Sequence, residues 1–215
     1  MSHAGGGLGV GTIVMLVVAM ILLLFLATAH AAPFEVPQHS LQYRAALQSA
    51  AIERFGLNAP VARLAAQINQ ESDWQPDAES VYAQGLAQFT PPTARWLPSI
   101  CPDIGEPDPW DADWSIRAIV CYDFYLHAHA PGHDECNRWA FALSDYNGGQ
   151  GMRAREQTLA ADHHADRNQW WSSVETYNAR SASAWRENRT YVRRILLYVE
   201  PAYLIAGWPG SVACP

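Results

Sequence analysis

Apolar residues return at intervals of three and four along most of this chain, and few segments alternate with a period of two. That rhythm leaves no substantial sheet to build and predicts a mostly α domain whose core is assembled from helix stripes. In "QHSLQYRAALQSAAIERFG" the stripe is Leu41, Ala45, Leu47, Ala51, Ile52 and Phe55, and Gly56 ends the helix. Asn58 is expected to cap the next helix, with Pro60 in its first turn, and that helix runs to the neighbourhood of Glu71. Gln75 to Gly85 reads as a loop, and Thr90 with Pro91 starts a helix toward Leu97. The stretch Pro98 to Pro109 holds too much proline and aspartate to be regular. A long helix is predicted from Asp113 to His127, and another from Asn137 to Tyr146 that stops at Gly148 and Gly149. After a polar segment comes a last helix from Ala184 to Val199.

The second of these helices carries an anomaly. Val61, Leu64 and Ile68 mark its inward face, and a rotation of about 100° per residue makes Glu71 the next inward position. Burial and the negative end of the helix both disfavour a carboxylate there, so the pKa of Glu71 is expected to rise. An acid that keeps its proton near neutral pH is what cleavage of a glycosidic bond requires, because the leaving oxygen must be protonated as its bond to carbon breaks. Periodicity leaves a second possibility open, a solvated side chain at a frayed helix end. Asp73 would point about 160° away and is no close partner.

Length and charge narrow the setting. A chain of 215 residues with 49% hydrophobic content supports one core and one main domain. A net charge of -7 argues against nucleic acid as partner. From Leu8 to Ala29 no ionisable side chain occurs, and Ile13 to Leu26 is almost unbroken apolar chain, long enough for an N-terminal hydrophobic helix in a bilayer. Residues 1–32 are therefore expected to be a signal peptide or a membrane anchor, and residues 33–215 the domain exported across the inner membrane. Ala29, Ala31 and Ala32 before Pro33 look like a cleavage site, yet no Lys or Arg precedes the run, so cleavage and retention both stay open. Cys101, Cys121, Cys136 and Cys214 fit two disulfides in an oxidising compartment, in any of three connectivities. His127, His129, His133 and Cys136 match no finger or ribbon spacing and read as a histidine-rich surface, as do His163 and His164, so no metal is expected.

Three stretches carry a more specific signal: "ESDWQPDAESVYAQGLAQFTPPTARWL" from Glu71, "ALSDYNGGQG" from Ala142 and "RENRTYVRRIL" from Arg186. Their E-S pair, G-L-x-Q turn, Y-N-G-G helix end and late E-N-x-x-Y-V helix resemble, in order and spacing, the lytic transglycosylases that share the fold of goose-type lysozyme, nearest to the phage endolysin members. The resemblance covers roughly Leu41 to Tyr203. It implies a lysozyme-like helical domain with a substrate cleft, peptidoglycan glycan strands as the partner, a monomer, and Glu71 as the catalytic acid. In those enzymes one glutamic acid protonates the oxygen between N-acetylmuramic acid and N-acetylglucosamine. As carboxylate it then accepts the proton of the muramic C6 hydroxyl, which attacks its own anomeric carbon. The product is a 1,6-anhydro sugar, so neither a metal, an organic cofactor nor a second carboxylate at about 5–10 Å is required.

The resemblance also implies substrate contacts at Ser72, Gly85, Leu86, Gln88, Tyr146, Asn147, Glu187 and Tyr191. Ser72 is expected near the acetamido group, Gly85 in a turn of positive φ, and the Gln88 amide opposite an N-acetyl group. Tyr146 is expected to be buried with its hydroxyl on the catalytic carboxyl. Asn147 either reaches the cleft or only caps a helix with Gly148 and Gly149, while Glu187 and Tyr191 share a helix face at the cleft. Three positions depart from the pattern: Ala87 stands for the usual Met, Asp145 for Ala and Asn188 for Thr. Asp145 supports an alternative, a lysozyme-like muramidase with a second carboxylate; a cell-wall glycan binder without catalysis is the other. Trp74, Trp96, Trp170 and Trp171 offer faces for sugar stacking or for packing.

Overall fold

In the computed structural model, residues 34–215 are described, and Phe34–Pro215 forms one unit; the expected N-terminal helix lies outside the described residues. A 3-10 turn over Gln38–Tyr43 leads into α1 (Arg44–Phe55), which Gly56 ends at φ 77° as its pattern predicts. Then follow α2 (Val61–Ser72), the short α3 (Pro91–Trp96), α4 (Ala112–His129), α5 (Glu135–Gly148) and α6 (Gln150–Asp162). The last rod is α7 (Ala182–Arg194), a π turn over Ile195–Val199 and α8 (Glu200–Ile205). Among the described residues there is no strand, only isolated bridges pairing Glu79 with Gln84 and Gln84 with Phe89. No helix among them is long and apolar enough to cross a membrane.

Helix α2 is the axis of the fold. Every residue from Val61 to Asn69 is buried, because α8 and the π turn pack on it from one side and α1 from another. Around it α1 lies on α4, α4 on α5, and α5 on both α6 and α7. A buried helix start needs acceptors for its first amides. Asn58 does not provide them: Pro60 occupies the cap position without a side-chain bond, and the C-terminal tail supplies the acceptor, Ala62 N donating to Pro209 O at 2.8 Å. The expected cap is thus replaced by a distant segment. That tail is tied down by the Cys136–Cys214 disulfide, while Cys101–Cys121 fastens the irregular stretch before α4.

Three other boundaries differ from expectation for physical reasons. The polar segment after Gly149 is helix α6, whose buried face is Glu156, Gln157 and Ala160 and so leaves no apolar stripe to read. The α5 helix begins two residues early because Asp134 caps it, accepting from Asn137 N at 2.8 Å. The final helix continues past Val199 through Pro201, which has no N–H to give; the chain loosens into a π turn just ahead of it and carries on. Two of the four tryptophans considered for stacking are core: Trp170 is fully buried, and buried Trp74 donates to the Tyr203 hydroxyl at 2.5 Å.

Candidate active site

Helix α2 ends sharply one residue after Ser72, where Asp73 and Trp74 both take positive φ, 52° and 64°. Such a conformation is costly for residues with a Cβ, and the buried Trp74 ring holds it in place. Glu71 therefore sits in the final helical turn, partly buried, on the floor of a cleft of about 620 Å³. One wall comes from the segment Ser80–Thr90, the other from the end of α5 (Tyr146, Asn147) and from α7 (Arg186, Glu187, Thr190, Tyr191).

Desolvation pushes the Glu71 pKa up to about 8, and the nearby Glu187 charge adds to it; the Tyr191 hydroxyl, bonded to Glu71, works in the opposite direction. Tyr191 is itself buried, and its phenol is held well above its usual range, so it acts as a donor, to Oε1 of Glu71. With Oε1 taken, the exchangeable proton of the acid belongs on Oε2.

A protonated carboxyl in a groove with amide and hydroxyl neighbours is a proton donor to an ether or acetal oxygen. The transglycosylase SLT domain family matches residues 50–169, more than half the chain. The chain belongs to that family. It is similar to a membrane-bound lytic murein transglycosylase F of Desulfosudis oleivorans, 31% identical over 172 residues that cover 74% of this chain and 36% of that protein. Another protein of that name, from Shewanella denitrificans, is 34% identical over 111 residues, covering 50% of this chain and 21% of the relative. The chain thus matches only about a third or less of the length of these relatives.

The expected contact residues separate into cleft and scaffold, and two of them, Glu187 and Tyr191, lie beyond the residues matched by the family. Gln88, Tyr146, Asn147, Glu187 and Tyr191 line the cleft with Glu71. Ser72, Gly85 and Leu86 do not. Ser72 Oγ donates to Leu86 O at 2.7 Å, tying the helix end to the wall, and the Leu86 side chain is fully buried. Gly85 has φ 74°, and a Cβ there would overlap the Pro109 carbonyl oxygen, so the glycine serves close packing of two loops. Gln88 spends its amide nitrogen on Ala78 O (3.0 Å) and Gly85 O (2.9 Å). Tyr146 is the clearest correction: its hydroxyl donates to Ala87 O at 2.7 Å, and Tyr191 takes the place expected of it on Glu71. That bond uses the backbone of residue 87, which is indifferent to Ala standing there.

Asp145 and Asn188, the other departures, are structural. Asp145 is fully buried outside the cleft and held by Arg153, with Nε to Oδ1 at 2.9 Å and Nη2 to Oδ2 at 2.9 Å, so it is not placed as a second catalytic carboxylate. Asn188, buried between α5 and α7, donates to Ser144 O at 3.0 Å and Asn147 Oδ1 at 2.9 Å. It fixes the orientation of Asn147, whose own amide lies 3.5 Å from Glu187 Oε1.

One buried carboxyl near Glu71, outside the cleft lining, has no counterpart in the sequence reading. Asp123 is fully buried on α4 and accepts from Gln67 Nε2 at 3.3 Å, one helical turn before Glu71; its Oδ2 and the Gln67 Oε1 have no hydrogen-bond partner among the described residues. Burial, with the neighbouring Glu71 contributing, raises its pKa well above the carboxylate range. The signal was present, since Asp123 interrupts the buried series Ile116, Ile119, Val120 and Leu126 just as Glu71 interrupts its own.

Proposed function

We propose that this chain is a peptidoglycan lytic transglycosylase that breaks the β-1,4 bond from N-acetylmuramic acid to N-acetylglucosamine without water. The reading rests chiefly on one observation, the glutamic acid Glu71 in the cleft with one oxygen committed to Tyr191 and its pKa pushed up to about 8. At neutral pH the free oxygen of Glu71 carries the proton to the bridging oxygen as the anomeric C–O bond breaks. The resulting carboxylate is stabilised by the Tyr191 O–H, which does not need to move. It then takes the proton of the C6 hydroxyl while that oxygen bonds to the anomeric carbon, so the acid is restored and the sugar leaves as a 1,6-anhydro end. Intramolecular attack supplies the nucleophile at high effective concentration, which removes the need for a positioned water.

The same proposal places the reaction outside the cytoplasm, in the periplasm or at the cell surface. Two disulfides suit an oxidising space, and the uncharged run Leu8 to Ala29 supplies an export address. Lysis or remodelling of the cell wall is the task such a catalyst would perform there. Digestion of purified peptidoglycan, with mass analysis of the released ends, is the test. Anhydro ends are expected from the parent, and Glu71→Gln should lose at least about 10³-fold in rate, in line with removing a general acid. Reducing ends would mean a hydrolase, and an unchanged Glu71→Gln variant would remove that residue from the chemistry.

A further inference from the structure

On the wall formed by Ser80–Thr90, the turn from Ser80 to Ala83 lifts an aromatic ring into the cleft, where it has no aromatic, cation–π or hydroxyl hydrogen-bond partner among the described residues. Tyr82 is 79% exposed, yet it lines the cleft that holds Glu71. The backbone under it is fixed. Ser80 N donates to Ala83 O at 2.9 Å, and the Ser80 hydroxyl accepts from Tyr82 N at 3.3 Å and Ala83 N at 3.0 Å. Below the turn, Gly85 N donates to Ala78 O at 2.8 Å, and the Gln88 amide donates to that same carbonyl. The turn is a pedestal on which only the two side-chain torsions of Tyr82 remain free.

The facing wall has different chemistry. Asn147, Arg186, Glu187 and Thr190 offer donors and acceptors there beside the largely buried rings of Tyr146 and Tyr191, whereas Tyr82 is the exposed ring at the cleft. A hexopyranose has the same duality: hydroxyl and acetamido groups point outward around the ring, while one face presents mostly C–H bonds. Aromatic side chains give large rigid contact area at low entropic cost, and their polar tip keeps them soluble when empty.

We propose that Tyr82 is a specificity-determining residue whose ring face carries a pyranose of the glycan strand beside the scissile bond. The inference rests on the glycan reading of the cleft and deepens it by assigning the sugar's apolar face to the Ser80–Ala83 turn. The ring, and not the hydroxyl, does the recognition.

The test measures affinity apart from turnover. Soluble, uncrosslinked glycan strands are titrated calorimetrically into the full chain carrying Glu71→Gln. Adding Tyr82→Ala should weaken binding by roughly 2- to 12-fold, the range of an aromatic contact, whereas Tyr82→Phe and Tyr82→Trp should bind as the parent does. Val81→Ser is the control, because Val81 is 90% exposed on the same turn but does not line the cleft. With Glu71 intact, Tyr82→Ala should raise KM by a similar factor and leave kcat within about 2-fold. Equal affinity of Tyr82→Ala and parent overturns the proposal, as does a loss in Tyr82→Phe as large as that in Tyr82→Ala. Strands that fail to bind the Glu71→Gln protein at all would overturn it together with the glycan reading. Persistent release of glycan ends by Glu71→Gln would overturn the role of Glu71, and the KM comparison of Tyr82→Ala with the parent would then decide the proposal by itself, an unchanged KM overturning it.

Discussion

Glu71 keeps its proton through the balance of three contributions, and each can be moved separately. Burial is the largest, Tyr191 opposes it, and Glu187 reinforces it. Because the first step of the proposed reaction needs the acid protonated, kcat/KM should fall as pH rises through about 8. Replacing Glu187 by Gln removes a like charge, so that alkaline limb should move to lower pH. Tyr191→Phe removes the bond that favours the carboxylate, so the limb should move to higher pH. Its kcat should also drop roughly 10- to 100-fold, because a hydrogen bond to a charged group disappears when the carboxylate forms. Rate profiles between pH 5 and 10 check both signs, and limbs moving the same way would contradict the assignment. The position of Glu71 was legible in a single helix, from a carboxyl standing where a leucine belonged. Its partner was not, because Tyr191 lies 120 residues away and Tyr146, on a different helix, meets the same local criteria.

At the scale of elements, α2 and α4 are joined by a buried polar contact, Gln67 to Asp123, one helical turn before Glu71. A carboxyl whose folded pKa is raised favours the folded state only while protonated, so its contribution is fullest at low pH and is lost as pH rises toward the folded value. Asp123→Asn keeps the shape, adds an amide that can donate to Gln67, and no longer titrates. The variant should match the parent in thermal unfolding at about pH 4 and exceed it at about pH 8, because only in the parent does the unfolded chain gain by releasing a proton that the folded chain must keep. An equal gap at both pH values would show that ionisation plays no part. Elements with an apolar stripe, such as α1 and α4, were readable in the sequence. Helix α6 was hidden because its inward side chains are Glu156 and Gln157, which bury through ion pairing and hydrogen bonds with Arg180, Arg189 and Arg153.

For the whole molecule, covalent closure complements a core built on one central helix. Cys136–Cys214 spans 78 residues and pins the tail whose Pro209 carbonyl caps α2, while Cys101–Cys121 spans only 20. Loop-closure entropy makes the longer bridge the stronger constraint, so the paired Cys136→Ala, Cys214→Ala variant should lose roughly 3–5 kcal/mol in denaturant unfolding, and the other pair less. The reverse ranking would mean that the tail contributes little to α2. Composition and spacing announced two bridges, but the pairing emerges only when α5 and the tail are brought together in space. The cleft also holds its acid unevenly: Tyr191 occupies one of the two oxygens of Glu71. On the glycan reading the carboxyl then has an anchored side and an exchanging side, and a sugar must come in over the second to receive a proton.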